Sequence, residues 1–242
     1  MAIIVRFDFM AKCFSVIVAG GSGVRFGSIL PKQFVMLDAK PVLMHTLERF
    51  AAYYASHAEV EGEIILVLPQ PHIATWKELC DKHSFTVEHR IVEGGSARFY
   101  SVLNALNAIT CHDNDAVVAI HDGVRPLVNF TIIETAFRVA SYDGSAIPVI
   151  PVTDSIRMVN SDGGSLAMKR SELRAVQTPQ AFRLEELRQA YAVPYDDSFT
   201  DDASVYEHMG HRVTLIDGSP HNIKITNAAD IAIATVLLQQ NK

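Results

Sequence analysis

The chain has 242 residues, 49% of them hydrophobic and 20% charged, which excludes a disordered or collagen-like polypeptide and leaves enough length to bury one good core. Its formal net charge of −6 repels polyanions. Nucleic acid is therefore not an expected partner, and any phosphate ligand has to be met by a local group of cations. Cys13, Cys80 and Cys111 form no CxxC pair and read as free thiols in a reducing compartment. No apolar run approaches the roughly 20 residues of a membrane span, so the expectation is a cytoplasmic protein with no membrane partner, built as a single domain over 1–242. Residues 1–10 read as a possible disordered extension ahead of a compact start, MAKCFSVIVAGG.

Short β-branched runs at 14–19, 64–68, 86–92, 116–120 and 146–152 predict buried strands. Between the first four lie stretches of helical period at 41–52, 73–82 and 97–109, with Pro41 suited to a first helical turn. This alternation predicts an α/β fold with a largely parallel, right-handed β-α-β sheet. After Val152 the rhythm changes: 155–159, a polar turn at 160–165 and 166–169 have the spacing of a hairpin. Because a small hairpin is marginal alone, this arm, about 153–172, is expected to protrude and pack against a neighbouring subunit. Helices near 184–192 and 203–209, a strand at 212–216 and a closing helix at 228–240 complete the order. In open α/β sheets ligands gather beyond the carboxyl ends of strands, here the segments after Ala19, Leu68, Val92, Ile120 and Val152.

Those segments hold the unusual residues. After the first strand comes AGGSGVRF at 19–26, in which Gly20, Gly21 and Gly23 let backbone N–H groups approach phosphate oxygens. A flexible turn is the plainer reading of a lone glycine cluster, but Arg25 and Lys32 flank it and could offset charge building up at a phosphoryl group. The dinucleotide fingerprint fails because Phe26 stands where its third glycine belongs, and no GK[ST] follows to make a Walker loop. At the end of the fourth strand, Asp122 is suited to hold Mg²⁺, which takes hard oxygen ligands and bridges to phosphates; a turn aspartate is the alternative. Gly123 permits close backbone approach, and Arg125 could pair with Asp122 or grip a substrate phosphate. Gly95, Ser96 and Arg98 open a helix whose N–H groups, with the Ser101 hydroxyl, could meet an anionic or sugar group. Thr200 reads as a helix N-cap. Ten histidines form no HExxH or HxH pattern, no GxSxG elbow is present, and Trp76 reads as packing.

Taken in order, AGGSGVRF, PKQF, GGSAR, HDGVRP, TPQAF, TDDAS and NIKIT resemble the methylerythritol phosphate cytidylyltransferase family, from about Ser15 to the C-terminus. The resemblance implies a Rossmann-like nucleotidyltransferase fold of three layers with a mixed, mostly parallel sheet. It also implies a homodimer joined by the arm, and CTP bound with Mg²⁺ as donor to a small polyol phosphate. By the same resemblance Ala19, Gly20, Gly21 and Gly23 surround the triphosphate, Arg25 and Lys32 stabilise the pentavalent transition state, and Asp122 holds the metal. Gly95, Ser96, Arg98, Ser101 and Gly123 lie around the cytidine. Arg125, Thr178, Thr200 and Lys224 match positions near the polyol phosphate, while Asp154, Ser155 and Arg170 are expected to reach across from the other subunit. Ser155 stands where the family often has Thr and Gly123 where it often has Ala, swaps that keep the hydroxyl and the small size. Ribitol phosphate cytidylyltransferases share the glycine loop, PKQF and HD-x-x-RP, so the acceptor side has to decide, and there MKRS at 168–171, QTPQ at 177–180 and TDDAS resemble the methylerythritol enzymes more closely. A nucleotide-binding regulator without catalysis is the alternative of a different class, against which Arg25, Lys32, Asp122 and Lys224 all stand.

Overall fold

The computed structural model describes residues 11–21 and 31–240; the expected extension at 1–10, together with Gly23 and Arg25, lies outside them. Strand β1 (Ala11–Val18) is paired in parallel on both sides, with β4 (Val60–Leu68) and β6 (Val117–Asp122), and β4 pairs in parallel with β5 (Arg90–Glu93). Two further strands are short. β10 (Arg174–Val176) runs antiparallel to β7 (Ser145–Pro151), and β11 (Gln180–Arg183) runs antiparallel to both β6 and β7. β12 (Leu215–Asp217) adds to β7 in parallel. The sheet is therefore mixed and mostly parallel, as expected. The peptide between Thr178 and Pro179 is cis. Among the described residues no helix is long and apolar enough to cross a membrane.

Strand alternation divides the core in two. Cys13, Ile17, Leu66, Leu68, Val117 and Ala119 face Leu47, Phe50, Trp76, Ile133 and Phe137. Their sequence neighbours Phe14, Val16, Ile65, Val67, Val118 and Ile120 face Val102, Leu106, Leu187 and Val205. The period of two thus gives each strand two apolar faces, which helices must cover on both sides. Helices α1 (Val42–Ser56), α2 (Gln70–Lys82) and α4 (Phe130–Asp143) cover one; α3 (Arg98–Ala108), α5 (Leu184–Ala190) and α6 (Asp202–His208) cover the other. Each large side chain buried in these layers contributes about 2 kcal/mol. Helix α7 (Ala228–Gln240) closes a third, smaller cluster with Leu37, Val42, Val124 and Ile225. Leu37 belongs to β2 (Met36–Leu37), which pairs with β3 (Lys40–Pro41).

Several elements differ from the sequence reading. The run at 86–92 becomes strand only from Arg90, because His89 turns inward, donating from Nδ1 to the Val87 carbonyl at 2.7 Å and accepting the Trp76 indole N–H at 2.9 Å. Pro41 precedes α1 rather than starting it, and the N-cap of α6 is Asp201, whose side chain accepts the Ser204 N–H, not Thr200. Helix α4, absent from the reading, carries plain signals: an Asn129 side-chain cap, apolar residues at 132, 133, 136, 137 and 140, and Gly144 in the left-handed region at φ 87°. Strands β10 and β11 are three and four residues long, too short to show alternation. The hairpin expected in the arm is present as β8 (Arg157–Val159) paired antiparallel with β9 (Ser165–Ala167), and both are exposed throughout.

Candidate active site

The carboxyl ends of the parallel strands are stitched into a rim. Ala19 N donates to the Val67 carbonyl (3.0 Å), Gly94 N to Leu68 (2.8 Å) and Gly123 N to Val18 (2.9 Å). Gln33, on the short 3-10 turn Lys32–Phe34, anchors the chain just after β1 by donating from Nε2 to the Ala19 carbonyl at 2.8 Å. A Cβ on Gly21 would come within 3.2 Å of Lys32 Cε, and one on Gly123 within 3.0 Å of Ala19 Cβ and Leu43 Cδ1. Bare backbone at these points lets the walls close up. The Ser101 hydroxyl accepts the Gly95 N–H (3.1 Å) and donates to the Ala97 carbonyl (3.1 Å), fixing the turn into α3. The rim encloses a hollow of about 250 Å³ lined by Ala19, Gly20, Gly21, Lys32, Gly95, Ser96, Arg98, Ser101, Asp122 and Lys224, among others.

At its floor lies a charged centre. Asp122 Oδ2 accepts Arg125 Nε at 3.0 Å and lies 3.1 Å from Lys224 Nζ. Burial alone would raise the Asp122 carboxyl, but Lys224, Arg125 and Arg98 outweigh it and hold the group well below the usual carboxylate range, so it is ionised at neutral pH. Arg98 is held by Asp202 through two hydrogen bonds of 2.9 and 2.5 Å, and the Tyr191 hydroxyl donates to the same carboxylate at 2.7 Å. Burial would lower the Arg98 guanidinium, but the Asp202 charge prevails and keeps it protonated. His121 is fully buried and its imidazole is pushed down to about 4, chiefly by burial.

A second hollow, of about 280 Å³, adjoins the first and shares Arg98, Asp122 and Lys224 with it. Arg125, Val176, Gln177, Thr178, Gln180, Thr200 and Asp201 complete its walls. Of the residues expected from the sequence, the structure thus brings together all those in the main body that lie among the described residues, with Gly123 packed behind Ala19. Asp154, Ser155 and Arg170 do not join them: they stand exposed on the arm, where Arg170 Nη1 donates to the Thr153 carbonyl at 2.7 Å. Residues that the sequence reading left without a role are Gln33, His121, Gln177, Asp202 and Asn222. Each sat inside or beside a motif, and a polar residue in an otherwise apolar strand end, as at His121, was the available signal. A larger hollow of about 630 Å³ lies elsewhere, beside Lys40, His45 and Arg49, and shares no residue with either of these two.

A doubly wound α/β sheet whose strand ends carry a glycine-rich turn and an ionised aspartate ringed by cations defines a phosphate-handling protein of the Rossmann-like nucleotidyltransferase class. A family model described as 2-C-methyl-D-erythritol 4-phosphate cytidylyltransferase (IspD) matches residues 13–240. The chain belongs to this family and is a nucleotidyltransferase. It is 48% identical over 228 residues to the 2-C-methyl-D-erythritol 4-phosphate cytidylyltransferase of Porphyromonas gingivalis, covering 94% of this chain and 98% of that one. It is 46% identical over 223 residues to the protein of the same name from Bacteroides thetaiotaomicron, covering 92% and 98%. Among solved structures, 4-diphosphocytidyl-2C-methyl-D-erythritol synthase of Anaerococcus prevotii superposes with a TM-score of 0.77 at 25% identity, over 95% of this chain and 99% of the other. The 2-C-methyl-D-erythritol 4-phosphate cytidylyltransferase of Thermus thermophilus gives 0.70 at 26% identity, over 93% and 98%.

Proposed function

We propose that the chain transfers the cytidylyl group of CTP to 2-C-methyl-D-erythritol 4-phosphate, giving 4-diphosphocytidyl-2-C-methyl-D-erythritol and pyrophosphate in the non-mevalonate route to isoprenoids. The observation that carries this reading is the shared wall: two hollows, one rimmed by glycine amides and one by polar side chains, meet at Arg98, Asp122 and Lys224. A donor triphosphate and an acceptor phosphate bound one in each would meet across that wall. The acceptor is a phosphate monoester, already largely ionised at neutral pH with a second pKa of about 6, so no general base is required. Its oxygen attacks the α-phosphorus in line; that P–O bond forms as the bond to the bridging oxygen breaks, and the electron pair leaves with pyrophosphate. The protein's task is positioning and charge neutralisation.

In this reading Lys32 and Arg25 offset charge on the reacting phosphoryl group, with Gly20, Gly21 and Gly23 around the triphosphate. Gly95, Ser96, Arg98, Ser101 and Gly123 surround the nucleoside. Lys224 and Arg125 hold the acceptor's phosphate, with Thr178 and Thr200 beside them. Among the described residues no three His, Cys, Asp or Glu side chains gather into a metal cage. A lone ionised carboxylate beside phosphates is nonetheless a normal Mg²⁺ site, because that ion keeps most of its waters and takes one or two carboxylates plus phosphate oxygens. Asp122 fits that part, and the ion would supply charge neutralisation on the triphosphate.

A homodimer through the arm completes the proposal. Ile156, Met158, Val159 and Leu166 are all exposed on this small hairpin, and a second copy covering them would account for apolar residues on an otherwise marginal element. Asp154, Ser155 and Arg170 would then serve the partner's acceptor hollow. Three free thiols support a reducing, cytoplasmic location. The test is pyrophosphate release with CTP and either 2-C-methyl-D-erythritol 4-phosphate or ribitol 5-phosphate, with Mg²⁺ and with chelator. Turnover of the methylerythritol compound that requires the metal is expected; preference for ribitol 5-phosphate, or no release from either, would refute the reading. Leu166→Asp is expected to shift the mass by light scattering from dimer to monomer, and an unchanged mass would remove the arm from the interface.

A further inference from the structure

His121 carries no role in the chemistry above, yet it is fully buried at the centre of a closed circuit of hydrogen bonds. Its Nε2 lies 3.1 Å from the Arg125 carbonyl and its Nδ1 lies 3.1 Å from the Thr178 hydroxyl oxygen, while its ring packs at a steep angle against Phe50, with 5.0 Å between ring centres. The Thr178 hydroxyl also accepts the Asp122 N–H at 3.1 Å. The Thr178 carbonyl accepts Asn222 Nδ2 (2.8 Å), the Asn222 carbonyl accepts Arg125 Nη1 (2.8 Å), and Arg125 Nε returns to the Asp122 carboxylate (3.0 Å). Three segments distant in sequence, 121–125, 177–178 and 222–224, are thereby locked around one hollow.

The directions in this circuit are decided by its fixed members. A carbonyl can only accept, so the proton on the imidazole sits on Nε2, facing Arg125, and Nδ1 is left as an acceptor. The Thr178 hydroxyl must then give its single proton to Nδ1. One of its lone pairs receives the Asp122 N–H, and one lone pair remains for the hollow that Thr178 lines. A phosphate dianion offers lone pairs only and would meet this oxygen acceptor to acceptor. A carbinol O–H satisfies it.

We propose that His121 is a positioning residue that, as the Nε2–H tautomer, turns Thr178 into an acceptor-only contact reading a hydroxyl group of the polyol, not its phosphate. This rests on the polyol phosphate transfer proposed above and deepens it: the phosphate is left to Lys224 and Arg125, and Thr178 discriminates among acceptors by their hydroxyls.

Two measurements test this. In ¹⁵N-detected NMR of the full chain near neutral pH, His121 is expected to show a protonated Nε2 and an unprotonated Nδ1; the opposite tautomer would overturn the proposal. In steady-state assays Thr178→Val is expected to lower kcat/KM for the methylerythritol acceptor about tenfold, the loss of one hydrogen bond, with KM for CTP within twofold. Inorganic phosphate, used as a competitive inhibitor against the acceptor, should keep its inhibition constant in that variant, because Thr178 does not touch the phosphate. An inhibition constant that rises in step with the acceptor's KM would overturn the proposal. A wild type that turns over no acceptor counts against the proposed function alone, and the tautomer signal still decides the role of His121.

Discussion

The contact between Arg98 and Asp202 joins the two hollows to the body of the protein, and Asp202→Asn probes it with little change of shape. Asp202 is fully buried and accepts Arg98 at 2.9 and 2.5 Å and Tyr191 at 2.7 Å, all to a carboxylate at the first turn of α6. In the variant the amide oxygen keeps the bonds to Tyr191 and Arg98 Nη1, but the new NH₂ faces Arg98 Nη2, donor to donor. One charge-assisted hydrogen bond of about 1.5–3 kcal/mol is lost, and the guanidinium loses its counter-charge. The Arg98 side chain is 32% exposed, so water compensates part of that second loss. A destabilisation of about 2–3 kcal/mol follows, equivalent for a chain of this length to roughly 5–10 °C in unfolding temperature. Urea unfolding followed by circular dichroism, with an unchanged slope to confirm that only stability has moved, measures it. Turnover should fall as well, because Arg98 lines both hollows. A variant within about 0.5 kcal/mol of the parent would show that the pair does not hold this region together, and would refute the reasoning.

Lys32→Ala should lower kcat by about 10²–10³ with little change in unfolding temperature; near-normal turnover would remove Lys32 from the site. Gly95→Ala would put a Cβ 2.3 Å from Tyr100 Cβ in the first turn of α3, so it should cost about 1–3 kcal/mol and raise KM for CTP, and an unchanged KM would contradict the place given to this turn. Stability should also depend on pH through His121. With its folded-state pKa pushed down to about 4 from an ordinary 6.5, the unfolded chain takes up a proton first as pH falls. The stability is therefore fully present above about pH 6.5 and up to about 3 kcal/mol is lost between there and pH 4. His45, also lowered chiefly by burial, acts in the same direction. Urea midpoints that stay flat between pH 7 and 5 would contradict this.

Much of the architecture was legible from residues acting on their neighbours. The apolar runs of β1, β4, β6 and β7, the helical spacing of α1, α2 and α3, and the order of the motifs at strand ends all depend on side chains a few positions apart. Helix α4 was legible on the same terms, from the Asn129 cap to Gly144. The alternation of β1 even determined its two buried faces, with Ile17 to one layer and Val16 to the other. β10 and β11 were not legible, since strands of three and four residues acquire their state from β7 and β6 beside them.

What only the tertiary structure decided is which polar groups meet. Arg98 and Asp202 are 104 residues apart, Arg125 and Asn222 are 97 apart, and His121 finds Thr178 across 57. Composition and spacing supplied a surplus of charged and polar residues near strand ends, any of which could have remained solvated. Burial selected among them: inside the rim each donor and acceptor must find a partner or forfeit its hydration. The groups that do find one, such as Arg98, Arg125 and Thr178, meet it only once the sheet order has brought distant segments into register.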